Sequence, residues 1–110
     1  MAYDEALAER VRDFTDGDPN IAEKKMFGGL GFLVNGNMAV AASGQGGLLV
    51  RVDPEESETL VTKTNAHPMV MRGREMNGWL IVDAADLKTK AQLARWVNRG
   101  LAYARSLDPK

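Results

Sequence analysis

The sequence predicts an α+β domain of two layers: a mainly antiparallel, curved sheet of about five to six strands with helices on one face. Three observations predict it. The hydrophobic period is helical at the start, strand-like through the middle and helical again at the end. Asn35-Gly36 stands between two apolar runs, the strongest short-range hairpin signal a sequence offers. Capping signals at Asp53-Pro54 and at Thr89 with Gln92 open two further helices. The implied order is α-β-β-β-β-α-β-β-α.

Each element has its own warrant. Tyr3, Leu7, Val11 and Phe14 recur at spacings of four, four and three, which places one apolar helix face over residues 3–14. Asp4 and Glu5 suit the positive end of its dipole, and "DGDPN" stops it. A strand over 23–27 follows, then strands over 30–34 and 37–42 joined by Asn35-Gly36 in a type I′ turn. "SGQGG" is a flexible connector, and "LLVRVD" is the next strand, with Val50 and Val52 alternating with Arg51. Asp53 caps the second helix, Pro54 takes its first position, and Glu56 completes a variant capping box; Leu60 and Val61 supply its apolar face. A second hairpin centres on Arg72-Gly73-Arg74, with Trp79–Val82 its most strand-like part and Gly78 marking a bulge. The last helix spans 90–106. Leu93, Trp96, Val97, Gly100, Leu101 and Ala104 share its buried stripe, and Gln92, Arg95 and Arg99 face away.

Composition narrows the class. A chain of 110 residues, 45% hydrophobic and 26% charged, fits one domain spanning 1–110 that can bury a genuine core. The absence of cysteine excludes disulfides, thiolate catalysis and Cys-ligated metals. No apolar run approaches the ~20 residues of a membrane span, and the acidic, amphipathic start has no signal-peptide pattern. A cytoplasmic protein with no membrane partner is the expectation. The net charge of −1 hides an uneven distribution: residues 1–23 carry −5, 24–52 carry +3, 53–63 carry −3 and 83–110 carry +3. Alternating patches of this kind are commonly solvated faces, and nothing in the total announces nucleic acid.

The chemistry-bearing motifs resolve mostly to structure. A phosphate loop needs a lysine after its glycines and then a helix, whereas Lys24 and Lys25 precede Gly28 and Gly29 and a strand follows. Gly29 and Gly31 match two positions of a dinucleotide fingerprint, and Val34 occupies the third. Gly28-Gly29 is therefore expected to turn or bulge the chain sharply between strands. His67, the only histidine, precedes Pro68 and belongs at a strand entry; no nucleophile signature surrounds Ser43, Ser57 or Ser106. The grouped carboxylates read as helix caps, and Met69, Met71 and Met76 as gap-filling core. What remains is a basic constellation of Lys24, Lys25, Arg51, Arg72, Arg74, Arg95 and Arg99, able to meet carboxylate or phosphate if its members share a face.

"KKMFGGLGFLVNGNMAV", "GLLVRVDPEE", "HPMVMRGREMNGWLIV" and "ARWVNRGLAYARSL" together resemble the N-terminal domain of the TfoX (Sxy) family over nearly the whole chain, with the quartet Met26-Phe27-Gly28-Gly29 the most recognisable part. The resemblance implies an α+β domain with a curved antiparallel sheet. Two-domain members regulate natural competence and transcription alongside the catabolite activator protein, whereas this chain is expected to be a single-domain form. The resemblance brings no catalytic residues, and no cofactor or metal is expected. The leading expectation is a non-enzymatic interaction module with a protein partner, transcription machinery among the options, engaged by Lys24, Lys25, Arg72 and Arg74. Direct nucleic-acid binding that adds Arg95 and Arg99 is one alternative. A ligand-binding protein or enzyme with a pocket near His67 and Trp79 is another. A homodimer through a sheet face or edge stays open.

Overall fold

Helix, four strands, helix, two strands and helix follow one another in the computed structural model, which describes residues 4–26, 28–44 and 46–109, leaving aside the side chains of Met26 and Met71. The elements are α1 (Glu5–Thr15), β1 (Ile21–Met26), β2 (Gly29–Val34), β3 (Asn37–Ala42), β4 (Leu48–Arg51), α2 (Pro54–Lys63), β5 (His67–Met71), β6 (Arg74–Val82) and α3 (Lys90–Ser106), with a single 3-10 turn at Ala84–Asp86. The six strands form one antiparallel sheet in the order β1-β2-β3-β4-β6-β5. This is the α+β architecture expected from the sequence, with six strands.

The local signals act as their chemistry requires. Asn35 and Gly36 both take positive φ, 52° and 87°, as a type I′ turn demands. Arg72 and Gly73 do the same at 55° and 78°, so the second turn is Arg72-Gly73, and Arg74 already belongs to β6. The Asp4 carboxylate accepts from the Leu7 N–H and thereby caps α1, which runs one residue past the expected end. Thr89 and Gln92 form the reciprocal capping box of α3. At α2 the Asp53 carboxylate accepts from the Glu55 N–H, while the Glu56 carboxylate meets Arg99 at 3.5 Å rather than closing a capping box. Tyr3, Phe27 and Gln45, assigned above to a helix face, the Gly-Gly motif and a connector, lie outside the described residues.

The glycine motif is a turn followed by a close approach. Gly28 has φ of 75°, and a Cβ on Gly29 would stand 2.3 Å from the Ala42 carbonyl oxygen. The bulges fall elsewhere. The β2–β3 register slips between Phe32 and Leu33, opposite Ala39, and the β5–β6 register slips between Pro68 and Met69, opposite the Gly78 region. Gly78 has φ of 89°, in keeping with the bulge read from its position.

All three helices share one face of the sheet. Leu7, Ala8 and Val11 of α1, Leu60 of α2 and the α3 stripe Leu93, Trp96, Val97, Leu101 and Ala104 pack in one cluster with Leu30, Phe32, Val40, Leu48, Val50, Leu80 and Val82. Strand alternation sends each of those sheet residues to the same side. Burying a side chain such as Phe32, fully enclosed here, contributes about 2–3 kcal/mol. Helix α3 comes closest: a Cβ on Gly100 would lie 2.5 Å from the Ala39 carbonyl oxygen and 2.7 Å from Val40 Cγ1. Gly100→Ala should therefore push α3 off β3. The overlap costs about 1–3 kcal/mol, more than the roughly 1 kcal/mol of helix propensity that alanine adds. Thermal unfolding of the variant is expected several degrees below that of the parent; an unchanged or raised midpoint would show that the helix layer has slack.

Candidate interaction surface

Among the described residues, no helix joins the cluster on the opposite face of the sheet. That cluster, Met38, Ala41 and Leu49, forms the floor, with Leu33, Met69, Trp79 and Ile81 packed around it, every member from a strand. Ala41 and Leu49 are only 5% and 6% exposed, and Leu33, Met69, Trp79 and Ile81 pack against them. The two bulges flank this floor, and bulges bend a sheet. The result is a trough of about 720 Å³ lined by Met38, Ala41, Leu49, His67, Met69 and Arg72, among others.

Register places one row of positions across all six strands on this face. Lys24 pairs with Gly31, Gly31 with Ala41, Ala41 with Leu49, Leu49 with Ile81, and Ile81 with His67. At about 4.8 Å per strand the row spans roughly 24 Å. The neighbouring row, Lys25–Leu30–Ala42–Leu48–Val82, lies on the helix side. Lys24 and Lys25 are both exposed, yet they point to opposite faces of the edge strand β1.

The expected basic constellation is thus divided. Lys24 and Lys25 sit on β1 at one edge of the sheet; Arg72 and Arg74 sit at the β5–β6 turn by the other edge. Arg95 and Arg99 belong to α3, in the layer behind, where Arg99 meets Glu56 and its guanidinium carbon lies 5.8 Å from the Trp96 ring centroid. Arg51 is held between rings, 5.0 Å from the Trp79 centroid and 5.7 Å from that of Tyr103. His67 and Trp79, proposed as pocket markers, both border the open face, and His67 Nε2 lies 3.2 Å from an Asp83 carboxylate oxygen. No group of three or more His, Cys, Asp or Glu among the described residues could hold a metal ion. Helices on one face only were expected from the sequence; which side chains line the other face was not, because the bulge opposite Ala39 breaks the alternation between Met38 and Ala41 within β3.

Strand β1 is tied to the helix layer by charge. Arg12 donates through Nε and Nη2 to the two Glu23 carboxylate oxygens, each at 2.8 Å, and also pairs with Glu9. The Arg12 hydrogen bonds hold the Glu23 carboxyl below its ordinary range, against a smaller opposing effect of burial.

Arranged in this way, the chain is an antiparallel six-stranded sheet with three helices packed on one face. A model of the TfoX N-terminal domain matches residues 13–104, and the chain belongs to that family as a regulatory domain. No curated protein matches the chain. No helix among the described residues is long and apolar enough to cross a membrane.

Because the Glu23 pKa is lowered on folding, the pair with Arg12 stabilises the fold above the ordinary carboxylate range and loses that contribution as pH falls through the lowered value. In Arg12→Ala, an NMR titration should show the Glu23 carboxyl moving up toward its ordinary range. An unmoved titration would mean that Arg12 does not anchor β1.

Proposed function

We propose that this domain is a non-enzymatic regulatory module that acts by protein contact, and that the contact is made on the open face of the sheet. One observation carries the reading. A broad apolar floor containing Met38, Ala41 and Leu49 has no helix over it, whereas the other face is covered by three. Partly buried Leu33, Met69, Trp79 and Ile81 gathered around that floor on a helix-free face make it a candidate contact site. Methionines at its floor and rim suit it to partners of varied shape, because their unbranched thioethers repack easily. Cations at the two edges, Lys24 on one side and Arg72 with Arg74 on the other, add orientation to an otherwise non-directional contact. Membership of a family with transcription regulators makes a component of the transcription machinery, or another regulator, the natural partner class, and a cysteine-free chain suits a cytoplasmic setting.

The same trough favours a second reading, a small amphipathic ligand seated beside His67. Its volume falls within the range of ligand sites. Direct nucleic-acid binding is the reading the charge layout favours least, since the cations occupy two separate sheet edges and the helix layer.

Two substitutions test the proposal on the purified domain, with circular dichroism as the check on folding. Met69→Asp places a charge at the rim of the trough, and Arg95→Glu alters an exposed position on the helix layer. A partner identified by affinity capture should bind Met69→Asp about tenfold or more weakly, a loss of about 1.4 kcal/mol, and Arg95→Glu as tightly as the parent. The reverse pattern would move the functional surface to the helices.

A further inference from the structure

We propose that the outer edge of β1 accepts an extended acidic segment of a partner protein as a seventh, antiparallel strand. This is a second surface. It rests on the backbone of β1 rather than on the apolar floor of the open face.

Strand β1 buries little of itself. Of its described side chains only Ile21 packs against the helix-side core, and Ala22, Glu23, Lys24 and Lys25 are exposed. It is held instead by its ladder with β2 and by the Arg12–Glu23 pair. Hydrogen bonds join every second couple of facing residues in an antiparallel ladder. The Asn35 N–H donates to the Asn20 carbonyl at 2.9 Å, one step before the Ile21–Val34 couple. Counting on by twos, Ala22, Lys24 and Met26 turn their backbone groups toward β2, and Ile21, Glu23 and Lys25 turn theirs outward. The Ile21 N–H donates to the Asp18 carbonyl at 3.2 Å, in keeping with that phase. The N–H and C=O groups of Glu23 and Lys25 therefore line the edge, without a partner among the described residues. They have the spacing that an added antiparallel strand requires. The other edge is guarded: Pro68 of β5 offers no N–H, and a bulge follows it.

Charge selects the occupant. Lys24 stands on the open-face side, where its row continues through Gly31, Ala41 and Leu49 and its diagonal neighbours include Ala22, Gly29 and Leu33. None of these carries a charge. Glu23 lies on the other side of the strand, where Arg12 takes both of its carboxylate oxygens. On its outer side Lys24 occupies a non-hydrogen-bonded position, where facing Cα atoms approach to about 4.5 Å and side chains meet most closely. An Asp or Glu there pairs with Lys24 across the strands. A second copy of β1 is a poor occupant. In-phase self-pairing centred on residue 23, 24 or 25 sets Glu23, Lys24 or Lys25 against its own counterpart, and like charges directly opposite destabilise a pair. The lysines thus discourage a like strand and admit an acidic one.

The test follows amide hydrogen exchange of the ¹⁵N-labelled full chain with a short acetylated, amidated peptide of alternating threonine and valine around a central glutamate. In the chain alone the Glu23 and Lys25 amides should exchange quickly and that of Lys24 slowly. Millimolar peptide should slow Glu23 and Lys25 exchange, and the same peptide with lysine at its centre should bind about fivefold or more weakly. Lys25→Pro removes an outward N–H and no bond to β2, so binding should fall about tenfold with the circular dichroism of the fold retained. Lys24→Glu should reverse the preference, favouring the lysine peptide. No slowing at millimolar peptide, or equal affinity for both peptides, would overturn the proposal. Slowing caused by raising the concentration of the chain alone would make a second copy the occupant and overturn it as well. Peptides that shift the Met38 and Met69 methyl signals but leave the Glu23 and Lys25 amides unchanged would overturn the edge and leave the open-face reading standing. Protected amides with unmoved methyl signals would support the edge whatever Met69→Asp does to partner capture.

Discussion

Gly100 lets the backbone of α3 press against Ala39 and Val40, and the rest of the architecture depends on that approach. With no side chain at the crossing, the longest helix can lie low on the centre of the sheet and bury Leu93, Trp96, Val97 and Leu101 against β3 and β4. Helix α1 packs beside it, Arg10 donates to the Leu87 carbonyl at 2.6 Å, and Arg105 reaches Asp18 at 3.1 Å. The buried Asn37 side chain donates to the Asp108 carbonyl and draws the end of the chain onto the same side. Apolar burial on this face is therefore concentrated and continuous. That leaves the opposite face free to be apolar for another purpose.

Much of this was legible in the residues. Asn35-Gly36, Thr89 with Gln92, and Gly78 are local signals whose geometry is dictated within a few residues, and each does what its chemistry implies. The α3 stripe was legible for the same reason: a 3.6-residue period has one solution on a 17-residue helix. Local patterning could not say that β6 inserts between β4 and β5, nor that Lys24 and Arg72 would end at opposite edges. Both follow from long-range strand pairing, which leaves no mark at the residues concerned. Glu56 was misread for a related reason. At the third position of α2 it fits a capping box, but Arg99, distant in sequence, lies within reach and takes the carboxylate.

Dividing the basic residues between edges changes what they can do. A continuous cationic stripe holds a polyanion, and cations divided between two sheet edges and the helix layer form no such stripe. The parity of β1 sharpens this further, because Lys24 and Lys25, adjacent in sequence, serve different faces. Arg51 illustrates the complementary case of a cation spent on structure, stacked between Trp79 and Tyr103 where the sheet meets the helix layer.

The central claim is that function resides on the strand-only face. Methyl NMR of the ¹³C-methyl-labelled domain, with and without a bound partner protein, tests it most directly. The Met38, Met69, Leu49 and Ile81 methyl signals should shift, while those of Leu60, Leu93 and Leu101 in the helix-side cluster stay in place. Shifts confined to the helix-side leucines, with the open-face methyl groups unmoved, would contradict the account.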